Sequence, residues 1–194
     1  MVGNLSNFTK IDLLRCLLGI EKPASRSYIS KALNLGEGTV RSILKILKKK
    51  GFLASSNQGH SLSAKGKVIV KKIKEILDIR EIGPIKIFPG KKSIAVHIKI
   101  PAKIEKAFIL RDEAVKNGAE GALILKYGKK LEFYDSNYKE DLSDIESKFN
   151  NADFDKNDIV IVAYANSFKL AEHGALAAAI YFNNELKNIM QEFK

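Results

Sequence analysis

The cations Arg41, Lys45, Lys48, Lys49 and Lys50 follow one another through a single short segment, and the only acid near them is Glu37. Basic side chains at helical spacing, with the small hydroxyls of Thr39 and Ser42 among them, suit a partner of repeated negative charge whose edges carry hydrogen-bonding groups. Thr39, Arg41, Ser42 and Lys45 have the reach for base edges, and Lys48 and Lys49 are better placed for phosphate. A second polar group, Asn57, Gln58 and His60, surrounds Gly59 and could touch backbone or minor groove; capping of the turn suits His60 equally well. Elsewhere the chemistry is thinner. His60, His97 and His173 lack metal-ligand spacing, and no metal or cofactor is expected. Cys16 lies beside an apolar stripe and reads as a small core residue. At Asn166-Ser167 a strand feeds a helix whose free N–H groups could hold an anionic ligand, although an ordinary N-cap explains the pair better. No GxGxxG, Walker loop or nucleophile elbow occurs in the chain.

Some element must hold those cations outward. Val40, Ile43, Leu44 and Leu47 recur at i, i+3, i+4 and i+7, which defines a helix with its core face opposite Gly38, Ser42, Lys45 and Lys49. Phe8 to Leu18 carries a similar apolar stripe. Ser25 to Leu33 reads as a short helix with Tyr28, Ile29, Ala32 and Leu33 available for packing. Phe52 to Leu62 reads as two strands joined at Asn57-Gln58-Gly59. Ser63 then caps a helix from Ala64 to about Ile79, whose apolar surface is wider than a small core needs and is left to meet another module or another copy of the chain. Ile82-Gly-Pro84 breaks it, placing a boundary between residues 1–80 and 81–194.

Charge divides at the same place. Residues 1–80 hold 16 Lys+Arg and 5 Asp+Glu, a net of +11, whereas residues 81–194 hold 17 of each. A basic module joined to a neutral one points to a polyanion as the partner of the first. The single cysteine excludes an internal disulfide. No apolar run reaches the roughly 18 residues of a membrane span, and the N-terminus lacks signal-peptide order, so a cytoplasmic protein is expected.

Beyond residue 84 the expected order is strands at Ile85–Phe88 and Ser93–Ile100, a helix from Lys103 to Asn117, and a hairpin of Ala122–Tyr127 with Lys130–Tyr134. A short helix at Leu142–Phe149, an apolar strand at Asp158–Ala165 and a long helix from about Ser167 to Gln191 complete the chain. The fold class is α+β, its second domain an α/β arrangement on a mixed sheet. Gly174 to Ala179 reads as a small-residue face for close helix packing.

Three segments, Tyr28-Ile-Ser-Lys-Ala-Leu-Asn-Leu-Gly-Glu-Gly-Thr-Val-Arg41, Leu47-Lys-Lys-Lys-Gly-Phe-Leu53 and Leu62-Ser-Ala-Lys-Gly66, resemble winged helix-turn-helix transcription regulators over about residues 8–80. Arg111-Asp-Glu-Ala-Val-Lys-Asn-Gly-Ala-Glu-Gly-Ala-Leu-Ile-Leu125 and Ala163-Tyr-Ala-Asn-Ser-Phe-Lys-Leu-Ala-Glu-His-Gly-Ala-Leu-Ala-Ala-Ala179 resemble the C-terminal domain of unknown function of certain archaeal winged-helix proteins. The resemblance implies a regulator that binds double-stranded DNA. Its second domain would sense a small-molecule effector or form a homodimer on a roughly palindromic site. The alternative is a metabolic enzyme domain fused to a winged helix, as in archaeal riboflavin kinases, whose nucleotide-binding loops find no match here.

Overall fold

The structure is a computed structural model and describes residues 8–99, 104–135, 140–149 and 154–193. It divides into two compact units, residues 1–73 with 188–194, and residues 74–187.

In the first unit, Thr9 opens α1 (Lys10–Gly19) with a capping box: its hydroxyl accepts from Asp12 N, and Asp12 Oδ2 accepts from Thr9 N at 2.9 Å. Ser25 caps α2 (Arg26–Leu33), and Asn34 ends it in the left-handed region at φ 52°, a conformation asparagine tolerates. Helix α3 (Glu37–Lys49) buries Val40, Ile43, Leu44 and Leu47 almost completely. After Gly51, at φ 77°, the chain forms a hairpin of β1 (Leu53–Ser56) and β2 (Gly59–Leu62). The register runs from Leu53↔Leu62 to Ser56↔Gly59. Ser63 Oγ accepts from Gly66 N at 3.0 Å and so caps α4 (Ala64–Ile76). From the end of the chain, Phe193 sets its ring 5.3 Å from that of Phe52.

One expectation fails in this unit. Tyr28 and Ala32 face solvent, Tyr28 at 63 % exposure, because an eight-residue helix buries one narrow stripe, here Ile29 and Leu33. The wide apolar surface expected on α4 is present. Ile69, Val70, Ile73 and Ile76 are buried, and Val68 is the exposed large apolar residue of the helix.

The second unit begins with β3 (Leu77–Glu81), where helix was expected to continue to Ile79. Pairing with β4 (Lys92–Ile98), from Leu77↔Ile98 to Glu81↔Ile94, claims those backbone groups. Ile85 and Phe88 form one bridge across a tight turn and not a strand; Pro84 and Pro89 on either side of that turn cannot donate to a ladder. Ile100 and Lys103, the expected end of a strand and start of a helix, lie outside the described residues. Then come α5 (Ala107–Lys116), β5 (Gly121–Tyr127), β6 (Leu131–Phe133), α6 (Ser143–Glu146) with a 3-10 turn at Ser147–Phe149, and β7 (Ile159–Ala165). The expected long C-terminal helix is two, α7 (Phe168–Phe182) and α8 (Asn184–Gln191). Buried Asn183 interrupts it, its Oδ1 accepting from Leu186 N at 2.9 Å. The division between the units falls inside α4 and again inside α8.

The sheet order is β3-β4-β7-β5-β6, and every pairing is antiparallel. The expected mixed sheet is therefore corrected. Strand β7 lies between β4 and β5, so the crossover through α5 links two strands that run parallel without touching. One face carries Ala95, Val160, Val162 and Leu125 against Ile82, Ile85, Leu142, Ile145 and Phe149. Helices α5 and α7 pack on the other face. A Cβ on Gly174 would come within 2.5 Å of Ala119 Cβ and 2.9 Å of Ala114 O, so the small-residue stripe of α7 does allow close contact with α5.

Candidate nucleic-acid interface

Four buried aliphatic residues pin α3 from one side, which leaves Arg41, Ser42, Lys45, Lys48 and Lys49 exposed on the other, with Thr39 half-buried. None of Arg41, Lys45, Lys48 and Lys49 makes an ion pair with another described residue. Their charge is therefore uncompensated at close range. Ser42 Oγ donates back to Gly38 O at 3.3 Å, which leaves its oxygen able to accept. Outside Gly38 there is open space, with nothing within 4 Å of where a Cβ would stand.

The turn into α3 is held by Leu35 N donating to Ser30 O at 3.1 Å and by the Ser30 hydroxyl donating to Leu35 O. Gly36 at the N-cap offers no side chain, and Arg26 takes over the neighbouring position. Its Nε and Nη2 stand 3.2 and 3.1 Å from Glu37 Oε2. Neither residue was singled out by the sequence as a site: eleven residues apart, they follow no period, and only the turn between α2 and α3 brings them together.

The hairpin comes to the same region through backbone pairing. Ala24 N donates to His60 O at 2.9 Å and His60 N to Ala24 O at 2.8 Å. Gly59, at φ 116°, is what permits this, since a Cβ there would sit 2.5 Å from Ala24 O. Asn57 and Gln58 are exposed at the hairpin tip, where Ser56 Oγ accepts from Gln58 N. His60 does not cap that turn. Its Nδ1 pairs across the strands with Ser55 Oγ at 2.8 Å. Partial burial, then the charges of Lys48 and Arg26, hold its imidazole below the ordinary value. Two cations thus meet beside the hairpin's His60: Arg26 from α2 and Lys48 from α3.

The candidates outside this surface are occupied structurally. Ser167 Oγ accepts from Leu170 N at 3.3 Å as the N-cap of α7, and Asn166 Oδ1 accepts from Lys91 Nζ at 2.9 Å. His97 Nε2 donates to Asp158 Oδ2 at 2.7 Å, both side chains almost fully buried beside Phe149 and Phe154. Burial pushes the Cys16 thiol up to about 12, against a smaller opposing effect of Arg15, so it stays protonated and unreactive. Among the described residues, no three of His, Cys, Asp and Glu gather as metal ligands would. No described helix is long and apolar enough to cross a membrane.

Residues 9–68 match the family model described as PH0730-like, N-terminal domain, and residues 89–184 match a domain of unknown function, DUF4443. Among solved structures, the hypothetical protein PH0730 from Pyrococcus horikoshii OT3 is similar. It is 28 % identical with a TM-score of 0.81, over 96 % of this chain and 100 % of that one. The S. agalactiae protein BusR, solved with its busAB-promotor DNA, aligns over 90 % of this chain and 97 % of that one at 10 % identity. Its TM-score of 0.24 is too low to carry an argument. No curated protein matches the chain.

Proposed function

We propose that the first unit is a winged helix-turn-helix domain that binds double-stranded DNA, and that the chain is a transcription regulator. In this reading α3 enters the major groove, the β1–β2 hairpin is the wing, and Ser25 and Arg26 approach the phosphates beside it. The observation that carries it is the outward edge of α3 from Arg41 to Lys49: four cations with no acid among them, on a helix whose other face is fully committed to the core. A merely solvated helix would gain by mixing signs along that edge. After its first turn this one concentrates a single sign, which costs self-repulsion until a polyanion arrives.

The second unit is proposed as the sensing or self-association module. Phe108 and Val115 on α5 and Leu170 and Tyr181 on α7 are exposed apolar side chains suited to a homodimer contact. The buried acid–base pair of His97 with Asp158 is out of reach of a substrate. The test of the DNA reading is fluorescence anisotropy of a labelled duplex titrated with the full chain. Binding should weaken steeply with salt, and reversal of charge at Lys45, Lys48 and Lys49 together should abolish it. A wild-type chain that fails to bind duplex at about 50 mM salt, where phosphate contacts are strongest, would refute the proposal.

A further inference from the structure

We propose that Glu37 reads a base, its carboxylate accepting from the exocyclic amino group of a cytosine at the leading end of α3. The inference rests on α3 being the helix that enters the groove. Glu37 is the first residue of α3, and the N-terminal residues of such a helix are the ones that meet base edges. Both Arg26 nitrogens converge on one oxygen, Oε2. Oε1 therefore accepts nothing from another described residue.

As a stabilising pair this contact counts for little, since its side chains are 47 % and 52 % exposed. As part of a DNA surface it is costly. Glu37 stands one turn before Arg41 on the same edge of α3, where a carboxylate repels phosphate unless it gains a hydrogen bond. Arg26 offsets most of that repulsion and fixes the direction of the free oxygen. The major-groove edges then discriminate. Cytosine presents its N4 amino group, a donor; thymine O4 and guanine O6 and N7 are acceptors that a carboxylate opposes; adenine places acceptor N7 beside its donor. Glu37 would thus select cytosine largely by rejecting the others, with Arg26 as a positioning residue.

The test is selection from randomised duplexes by the full chain and its Glu37→Ala, Glu37→Gln, Arg26→Ala and Arg26→Lys variants. The wild type should return a motif with one invariant cytosine in each half-site. Glu37→Ala should lose that preference, by about tenfold in relative affinity for a good base contact, while other positions keep theirs. Glu37→Gln should move the preference toward adenine. Arg26→Ala should blur the same position, and Arg26→Lys should restore part of it, which a purely structural role would not. An unchanged motif in Glu37→Ala overturns the assignment and leaves the DNA reading standing. A wild type that yields no motif overturns this assignment whatever its overall affinity, and a wild type that binds no duplex overturns the DNA reading with it.

Discussion

Two glycines in helices of the first unit should respond in opposite directions to the same substitution. Gly66 lies in the first turn of α4, and a Cβ there would overlap the carbonyl oxygen of Phe52. That oxygen cannot swing aside: it accepts from Ser63 N at 2.9 Å, and Phe52 is itself completely buried. Gly66→Ala therefore forces the backbone apart, an overpacking cost of roughly 1–3 kcal/mol. Weakening the Ser63–Phe52 hydrogen bond adds about 1 kcal/mol. Alanine's better helix propensity returns about 1 kcal/mol, leaving a net loss of about 2 kcal/mol. Gly38, in α3, has open space around it, so Gly38→Ala should gain the propensity term of about 0.5–1 kcal/mol undiminished. In a unit of this size each kcal/mol moves the midpoint by roughly 4–8 °C. Thermal unfolding of the full chain followed by circular dichroism should show one transition raised by Gly38→Ala and lowered by Gly66→Ala. If Gly66→Ala is as stable as Gly38→Ala, the placement of the hairpin against α4 is wrong.

Three further outcomes are expected. Lys48→Ala and Lys49→Ala should each weaken binding to all duplexes alike and flatten the log–log salt dependence by about one unit, measured by anisotropy across a salt series. His60 titrates below its ordinary 6.5 in the free protein, so that protein loses stability as pH falls through that value. A phosphate at the imidazole would reverse the shift, so duplex affinity should rise as pH falls from about 8 to about 6, and His60→Gln should flatten that rise. His97→Leu should leave Asp158 buried and uncompensated, costing the second unit about 3–5 kcal/mol, read by urea unfolding, with no change in duplex affinity.

Most of the first unit was legible because its signals are local. Val40, Ile43, Leu44 and Leu47 define the buried face of α3 by spacing alone, and with it the outward direction of Arg41, Ser42, Lys45 and Lys49. The hidden features depend on distant partners. Ile73, Ile76 and Leu77 keep helical spacing, yet Leu77 to Glu81 join β4 because a sheet edge offers their backbone groups partners that the sequence cannot display. The single-strand insertion of β7 between β4 and β5 made a crossover look like a mixed sheet. The break at Asn183 did have a signal, an asparagine able to cap a new helix, but the apolar run through Phe182 outweighed it. At the candidate site, Arg26 and Glu37 meet only because Asn34 turns left-handed between their helices.

The most direct measurement of the central claim is an amide-resolved NMR titration of the full chain with a short duplex. Shifts should concentrate on Gly38, Ser42, Lys45 and Lys49 along α3, on Asn57 to His60 in the hairpin, and on Ser25 and Arg26 at the start of α2. The buried face of α3 and the strands of the second unit should stay still. Shifts centred on β3 to β7, or none at a duplex concentration that saturates binding, would contradict the account.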